Sequence, residues 1–286
     1  MTTTAQAFDL LLEEITPTDY QKNTMVPARK ESVRAKLSES FPASCDMPFW
    51  KIELIGSAAK STAIRPIDDI DVLAVFSDEK NAYSKYQFDS QKFLYRIREA
   101  YAGVETKQVG SRGQAVRVFY QSGGHVDIAP VFFKGGDDYY LPAGDGSWIT
   151  TSPLKANEWF NRKNSELSYH LRPVVRFAKK WNKEHSKRFR SFHLETMAAS
   201  CFSSLGSNYR SAMARFFEWA PSYLDVYDPG GHSGNLSSYM TWQQRQDAIA
   251  SLQTAHSRAD KALTAEAQGD HDEARRQWSI VFDETM

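Results

Sequence analysis

The sequence predicts an α+β fold, in which a mixed sheet with flanking helices is followed by an all-helical lobe. Two observations predict it. Within residues 49–133, short apolar runs alternate with polar residues or stand between Gly- and Asp-rich turns, which is typical of strands. From Pro153 onward, apolar residues recur with a helical period. We therefore place a sheet-containing lobe at residues 1–150 and a helical lobe at residues 151–286.

The first lobe is divided by turn residues into alternating helices and strands. Its predicted elements are helices over 5–15 and 27–40, a strand over 49–55, the start of a helix over 58–62, a buried strand over 71–76, a helix over 86–101 and a meander over 104–133. Within the meander, Ser122-Gly123-Gly124 joins two strands into a hairpin. A small hairpin around Tyr139 and Trp148 follows. For the first helix, packing against the second lobe is an open alternative.

The second lobe is predicted to be a bundle of helices. Their approximate ranges are 155–166, 168–186, 192–206, 210–220, 238–267 and 270–283. A marked loop at residues 227–235, which contains three glycines and a proline, interrupts the bundle.

Composition excludes several classes of protein. Of the 286 residues, 41% are hydrophobic and 13% aromatic, so the chain can bury a sizeable core and is not disordered. Lys+Arg and Asp+Glu each number 35, so we expect no long nucleic-acid partner. Cys45 and Cys201 do not have the spacing of a metal site and are expected to be reduced, buried thiols. No apolar stretch approaches the ~20 residues that span a bilayer, and no signal-peptide pattern opens the chain, so we expect a cytoplasmic protein without a membrane partner.

Two acidic residues at the start of the buried strand are the strongest functional signal. Successive side chains of a strand point to opposite faces, so Asp69 and Asp71 project together while Ile70 points into the core. They could be solvated residues at a strand entrance. However, the apolar run over 72–76 predicts a central strand, where unpaired acids are costly to desolvate. Paired carboxylates repel each other unless a cation lies between them, and hard oxygen ligands suit Mg²⁺.

A third acidic residue lies in the second strand of the predicted hairpin. Asp127 stands between Val126 and Ile128, in a strand expected to pair beside the first one. A single acid in an apolar strand needs a partner, and a metal ion is one such partner. Together with Asp69 and Asp71 it would complete a two-metal site for phosphoryl chemistry. His125 points to the same side, and we expect it at the edge of the site or at the surface.

Two further segments could contact phosphate. The Gly56-Ser57 turn precedes a helix, and backbone N–H groups with a hydroxyl suit a phosphate. Lys179 shares one side of a helix with Arg172 and Arg176, which makes a triphosphate contact plausible, although these residues could form a solvated face.

Ser191 and His193 open the next helix of the second lobe. Ser191 could be only an N-cap, which is the default interpretation of a serine in that position. His193 lies inside the helix, and we expect a packed core histidine.

The chain contains Gly56-Ser57, then eleven residues, then Asp69-Ile70-Asp71, and later Asp127. This pattern resembles the polymerase-β-type nucleotidyltransferase superfamily. From about residue 45, the chain resembles the bacterial cyclic-oligonucleotide synthases of anti-phage signalling, which are relatives of cyclic GMP–AMP synthase and oligoadenylate synthase. The supporting segments are 61–66, Ser152-Pro153 with 157–159, 171–182, 191–195, Asp228-Pro229 with Asn235, and 274–282.

The resemblance implies roles for individual residues. Asp69, Asp71 and Asp127 would hold two Mg²⁺ ions, for which Mn²⁺ can substitute. Gly56 and Ser57 would hold the β- and γ-phosphates of a nucleotide in the cleft between the lobes. The second lobe would add Lys179 and Ser191 at the triphosphate, with Asp228 and Asn235 in a loop near the nucleotide. Many relatives have Gly where Ser61 stands, a position that we expect inside the helix after Ser57.

The implied reaction joins ATP and other NTPs into a cyclic or linear oligonucleotide messenger and releases pyrophosphate. One alternative is a nucleotidyltransferase that modifies RNA or a protein, as tRNA-tailing enzymes or toxins do. A third hypothesis is an inactive nucleotide-binding or scaffold protein, although degenerate members of the superfamily typically lose one of the three carboxylates. A regulatory protein partner is left open.

Overall fold

The structure is a computed structural model that describes residues 2–103 and 109–286. The part of the predicted meander at residues 104–108 lies outside the described residues. The helices are α1 (Thr4–Ile15), α2 (Val26–Ser40), α3 (Gly56–Lys60), α4 (Ser90–Glu99), α5 (Pro153–Glu166), α6 (Leu171–Glu184), α7 (Ser191–Cys201), α8 (Tyr209–Trp219), α9 (Trp242–Ala267) and α10 (His271–Phe282). The strands are β1 (Phe49–Leu54), β2 (Asp69–Phe76), β3 (Val109–Arg112), β4 (Ala115–Phe119), β5 (His125–Gly135), β6 (Asp138–Pro142) and β7 (Trp148–Thr151).

In the described residues the strands form one mixed sheet, as predicted. Its order is β1-β2-β5-β4-β3, and β6 and β7 continue from β5. Strands β2 and β5 are parallel, whereas the other pairs are antiparallel. The predicted hairpin is β4–β5, and the small hairpin around Tyr139 and Trp148 is β6–β7. The α+β fold class is therefore confirmed.

Each lobe has its own hydrophobic core. On one side of the sheet, Phe76 and Phe132 pack with Phe93 of α4 and with α2. In the helical lobe, α6 buries a continuous apolar face because Val174, Val175, Phe177, Ala178 and Trp181 recur with helical period. Helix α1 belongs to this second core.

The predicted elements are present, and their ends differ from prediction for local reasons. The helix predicted from residue 86 begins at Ser90, since the Asp89 side chain accepts a hydrogen bond from the Gln91 N–H and caps it. The helix predicted from residue 168 begins at Leu171, because Ser168 and Tyr169 adopt φ of 53° and 65°.

The cysteines are free thiols, as predicted, but only Cys201 is buried, whereas Cys45 is half-buried. Burial raises the pKa of Cys201 to about 12, so this thiol is inert. In the part of the chain that the structure describes, no helix is both long and apolar enough to cross a membrane.

Candidate active site

The parallel pairing of β2 with β5 brings the three predicted acids to one end of the sheet. In the register of this pair, Asp71 lies opposite Asp127 and Asp69 lies opposite His125. Aligned residues on neighbouring strands point to the same face, so the three carboxylates share one face. The strand positions alone therefore produce a local concentration of negative charge.

Asp71 is the acid most affected by this arrangement. Burial, followed by the charges of Asp69 and Asp127, raises the pKa of Asp71 from 3.8 to about 6. Gly56 lies directly against it, because a Cβ on Gly56 would stand 2.3 Å from Asp71 Oδ2. Gly56 also has a φ of +65°, which favours glycine. The close approach of the α3 backbone to this carboxylate thus depends on a glycine.

Asp127 is held by a residue that the sequence analysis did not identify. Arg117 of β4 lies opposite Asp127 in the antiparallel register and donates two hydrogen bonds, from Nε to Oδ1 at 2.7 Å and from Nη2 to Oδ2 at 2.5 Å. His125 Nε2 is 3.9 Å from Asp127 Oδ2, at the edge of the site as expected.

The donor set suits a hard divalent cation. The charges of Asp69 and Asp127 disfavour ionisation of Asp71, a cost that a nearby cation removes, and oxygen donors of this kind prefer Mg²⁺ or Mn²⁺. Among the residues described, however, no group of three His, Cys, Asp or Glu side chains is already arranged to hold a metal ion. The bidentate pairing of Asp127 with Arg117 gives a physical reason, although each carboxylate oxygen has a second lone pair.

Six of the predicted site residues line one cleft of about 360 Å³ between the lobes. They are Gly56, Ser57, Asp69, Asp71, Lys179 and Ser191. Three further lysines also face this cleft, namely Lys60, Lys183 and Lys187. The cleft therefore has an acidic wall from β2 and a basic wall from α3, α6 and the loop after α6.

Lys179 is part of a buried ion cluster that joins the lobes, defined here as Lys60, Thr62, Lys179 and Glu195. Glu195 Oε1 is 2.5 Å from Lys179 Nζ, and Oε2 is 2.6 Å from Lys60 Nζ. The Thr62 hydroxyl donates to Glu195 Oε1 at 2.6 Å. Burial alone would raise the pKa of Glu195, but the two ammonium groups lower it to about 2. Glu195 is therefore a fixed negative charge beside the cleft.

The two arginines that share a side of α6 with Lys179 donate hydrogen bonds to backbone carbonyls. Arg172 Nε donates to the Lys60 carbonyl at 3.0 Å, and Arg176 Nη2 donates to the Ser61 carbonyl at 2.8 Å. These bonds satisfy carbonyls at the end of α3, which leaves Lys179 as the member of the three that lines the cleft.

Ser61 does not lie inside α3, contrary to the expectation from the sequence. It is the C-cap residue, with φ of 55° and ψ of 40° in the left-handed region. Glycine is the residue that adopts this conformation without strain, so the position is one where Gly is favoured for backbone reasons.

Ser191 and His193 lie in the first turn of α7. Ser191 is the first residue of the helix, and Arg190 occupies the N-cap position without a side-chain capping bond. The default N-cap interpretation of Ser191 is therefore wrong, and Ser191 is one of the residues that line the cleft. His193 is buried and contacts the Leu224 carbonyl at 2.8 Å and the Tyr239 hydroxyl at 3.1 Å. It is a packed core histidine, as predicted.

Asp228 and Asn235 do not line the main cleft. The Asp228 carboxylate accepts hydrogen bonds from the backbone N–H groups of Gly230, His232 and Ser233, at 2.8, 3.2 and 2.9 Å. It faces a smaller adjoining cavity of about 230 Å³ that Gly56 also lines. Asn235 donates to Asp225 Oδ1 at 2.9 Å. Both residues therefore fix the shape of the 227–235 loop.

A protein-family comparison decides the assignment. The model of the Second Messenger Oligonucleotide or Dinucleotide Synthetase (SMODS) domain matches residues 1–164, which is more than half of the chain. The chain belongs to this family. As a bacterial SMODS nucleotidyltransferase, it is a cyclic-oligonucleotide synthase. Nucleotidyltransferases of this family generally use a divalent metal ion.

Curated relatives agree with the family assignment. The chain is similar to a "Probable cyclic nucleotide synthase" of Bacillus cereus strain VD146, with 25% identity over 263 residues and 79% of each chain covered. It is also similar to the cyclic AMP-AMP-AMP synthase of Escherichia coli strain MS 115-1, with 30% identity over 178 residues, 58% of this chain and 55% of the relative.

Solved structures share the fold of this SMODS protein over nearly its whole length. Escherichia coli MS115-1 CdnC, solved with ATP, gives a TM-score of 0.78 at 23% identity, with 99% and 97% of the two chains covered. Vibrio cholerae DncV, solved with the linear intermediate pppA(3′,5′)pG, gives 0.77 at 17% identity, with 96% and 93% covered.

The sequence analysis of this SMODS protein missed Arg117 and the partners of Lys179, although each left a signal. Arg117 is a single charged residue between Val116 and Val118, and the hairpin turn places it opposite Asp127. Glu195 is likewise a single acid in the buried run 193–199, where a charge needs a partner.

Proposed function

We propose that this chain binds ATP and other NTPs in the cleft between its lobes and joins them into a cyclic oligonucleotide messenger. A ribose hydroxyl of one nucleotide attacks the α-phosphorus of another, the bond to the β-phosphate breaks, and pyrophosphate leaves. One observation carries this proposal: Asp71 is in register with Asp127, lies against Gly56, and lines the same cleft as Lys179.

Asp69, Asp71 and Asp127 are the residues that would hold two Mg²⁺ ions, or Mn²⁺ in their place. When bound, such ions lower the pKa of the attacking hydroxyl and neutralise charge on the leaving oxygens. The raised pKa of Asp71 supports this assignment, because a nearby cation removes the cost of ionising a buried carboxylate. The two hydrogen bonds from Arg117 hold the Asp127 side chain in place on β5 before a metal ion binds.

The remaining cleft residues would position the triphosphate. Gly56 and Ser57 would contact the β- and γ-phosphates, and the absence of a Cβ at Gly56 lets this segment lie directly against Asp71. Lys179 and Ser191 would approach the same phosphates from the helical lobe. Catalysis would then consist mostly of positioning and charge neutralisation.

The roles of Asp228 and Asn235 are also proposals. Asp228 shapes the 227–235 loop, and His232 of that loop contacts Asp138 Oδ1 at 2.9 Å and Ser152 Oγ at 3.0 Å. We place this loop at the edge of the nucleotide site because Asp228 and Gly56 line the same smaller cavity.

The proposed biological setting is anti-phage signalling in the cytoplasm. Relatives from Escherichia coli are named CBASS oligonucleotide cyclases, and the fold relative CdnC was solved in a complex with a HORMA protein. A regulatory protein of that class is therefore a candidate partner for this chain. The same proposal includes the division into a catalytic lobe at residues 1–150, whose N-terminal helix α1 packs on the second lobe, and a helical lobe at residues 151–286.

The proposal is tested by product analysis. The protein is incubated with the four NTPs and Mg²⁺, the mixture is treated with phosphatase, and resistant products are identified by mass spectrometry. We expect a phosphatase-resistant cyclic oligonucleotide from the wild type and at least a hundredfold less from an Asp69→Asn, Asp71→Asn double variant. Glu79→Gln, which changes an exposed acid in the loop after β2, is the matched control.

Two outcomes would contradict this function. One is transfer of nucleotide only to added tRNA or protein, which would favour the modifying enzyme over the messenger synthase. The other is full activity of the double variant, which would remove the two acids from the chemistry.

A further inference from the structure

The buried ion cluster contains more positive charge than an ordinary structural ion pair. Lys60 comes from α3 and Lys179 from α6, and Glu195 of α7 forms an ion pair with both. The three side chains are 4%, 8% and 2% exposed, respectively. One carboxylate thus compensates two buried ammonium groups, and the cluster keeps a net positive charge.

Glu195 restrains both lysines. Lys179 Nζ is also within 3.3 Å of the Thr62 hydroxyl, which itself donates to Glu195. Lys60 Nζ is further enclosed by the Phe192 ring, whose centroid lies 4.9 Å away. An ammonium group has three N–H donors, so Lys179 keeps at least one donor beyond its bonds to Glu195 and Thr62. Because Lys179 lines the cleft with Gly56 and Ser57, that donor is available to a phosphate there.

We propose that Glu195 is a positioning residue for the triphosphate, which it serves by holding the ammonium groups of Lys60 and Lys179 in place in the cleft. This inference rests on the proposed function, since it assumes that the cleft takes a nucleoside triphosphate. Glu195 also lines the cleft, but Lys60, Lys179 and Thr62 occupy its two carboxylate oxygens, so it would act through the lysines. Its helix turn also carries Ser191, four residues earlier on the same face, so one turn of α7 supplies the hydroxyl and the charge that fixes the lysine.

A Glu195 that competes with phosphate would have the opposite effect, and this difference defines the test. If Glu195 only competed with phosphate for Lys179, its removal would strengthen polyphosphate binding. If it holds the lysines, its removal leaves two buried ammonium groups that repel each other, and Lys179 leaves its position. The two mechanisms predict opposite changes in affinity.

The experiment measures binding rather than turnover. Calorimetric titration of inorganic tripolyphosphate and of AMP, both with Mg²⁺, is performed on the wild type and on Glu195→Gln. We expect the Kd for tripolyphosphate to rise at least tenfold, while the Kd for AMP changes less than twofold. The Lys60→Met, Glu195→Gln double variant should bind tripolyphosphate at least threefold more tightly than Glu195→Gln does, because the second buried ammonium group is then absent.

Controls separate positioning from simple loss of structure. Glu266→Gln breaks the Arg210–Glu266 ion pair elsewhere in the helical lobe and should leave both affinities unchanged. Glu195→Asp keeps the charge on a shorter side chain, and we expect an intermediate loss; this variant replaces Glu195→Gln if the latter does not fold.

The proposal is overturned if the folded Glu195 variant binds tripolyphosphate as tightly as the wild type or more tightly. Equal losses for AMP and tripolyphosphate would also overturn it, because they would indicate general damage to the cleft. A wild-type protein that binds neither ligand would instead contradict the proposed function itself.

Discussion

The position of the Asp71 carboxylate destabilises the folded protein when no cation is bound. The carboxylate is surrounded by the charges of Asp69 and Asp127, and the α3 backbone at Gly56 approaches it so closely that no side chain fits between them. Its pKa is therefore raised to about 6. A raised carboxyl pKa means that the folded state holds the proton more tightly than the unfolded state does.

This predicts a specific pH dependence. In the unfolded chain Asp71 ionises at a pKa near 3.8, and in the metal-free folded protein at about 6. As pH rises through this window, the folded state must ionise a buried acid, and the free energy of unfolding falls by about 3 kcal/mol. Asn cannot ionise, so Asp71→Asn should avoid this loss. We expect the variant to be more stable than the wild type by about 2 kcal/mol at pH 7.5 in chelator, measured by urea unfolding.

The same two proteins provide the control. At pH 4 the wild-type carboxyl is protonated in the folded state, so the stability difference should largely vanish. Addition of Mg²⁺ at pH 7.5 should stabilise the wild type and leave the variant unchanged. A wild type that is as stable as Asp71→Asn at pH 7.5 would contradict the raised pKa.

At the scale of elements, α3 is a five-residue helix that is fixed at both ends by other parts of the molecule. Gly56 packs on Asp71 at its start, and Arg172 and Arg176 bond the carbonyls of Lys60 and Ser61 at its end. A helix this short is not stable by itself. The position of the Gly56-Ser57 segment is therefore determined by its contacts with β2 and α6.

Ser61 is the strained point of this element. With φ of 55°, a non-glycine residue costs roughly 1 kcal/mol relative to Gly, partly offset by the greater freedom of Gly in the unfolded chain. Ser61→Gly is therefore expected to stabilise the protein by about 0.5 kcal/mol without reducing turnover, as measured by chemical denaturation.

Ser38→Gly provides a comparison of opposite sign. Ser38 is an exposed residue within α2, where the same substitution should destabilise the protein by about 0.5 kcal/mol. If both substitutions destabilise, the backbone strain at Ser61 is not significant.

The elements that could be predicted from the sequence are those whose signal lies in neighbouring residues. Alternation and the Ser122-Gly123-Gly124 turn predicted the β4–β5 hairpin, and the apolar run after Asp71 predicted a central strand. The same register places Arg117 opposite Asp127. The Glu195 contacts were not predictable in this way, because Thr62 and Glu195 are separated by 133 residues and meet only when the lobes assemble.

At the scale of the whole molecule, the chain passes between the two lobes more than once. Helix α1 precedes the sheet in sequence but packs in the core of the helical lobe, where Phe8 contacts Phe177, Trp278 and Phe282. The chain then crosses to the sheet and returns at α5. Together with the ion cluster, these crossings restrain the two walls of the cleft, which favours a site that is formed before substrate binds.

Phe8 tests how much of the helical lobe depends on the N-terminal helix. Phe8 is 1% exposed, and its ring centroid lies 4.9 Å from that of Trp278 and 5.1 Å from that of Phe177. Truncating a buried phenylalanine leaves a cavity and costs roughly 3–5 kcal/mol. We therefore expect Phe8→Ala to lower the free energy of unfolding by about that amount, with loss of amide protection in α6 and α10 by hydrogen exchange.

Leu10 provides the matched control on the same helix. It is 61% exposed, so Leu10→Ala removes a similar apolar side chain without opening a cavity and should change stability by less than about 0.5 kcal/mol. Equal effects of the two substitutions would mean that α1 contributes through its helical propensity. A large effect of Phe8→Ala alone means that the first residues of the chain complete the core of the lobe that carries Lys179 and Glu195, so truncation of the N-terminus would disturb the cleft from the helical side.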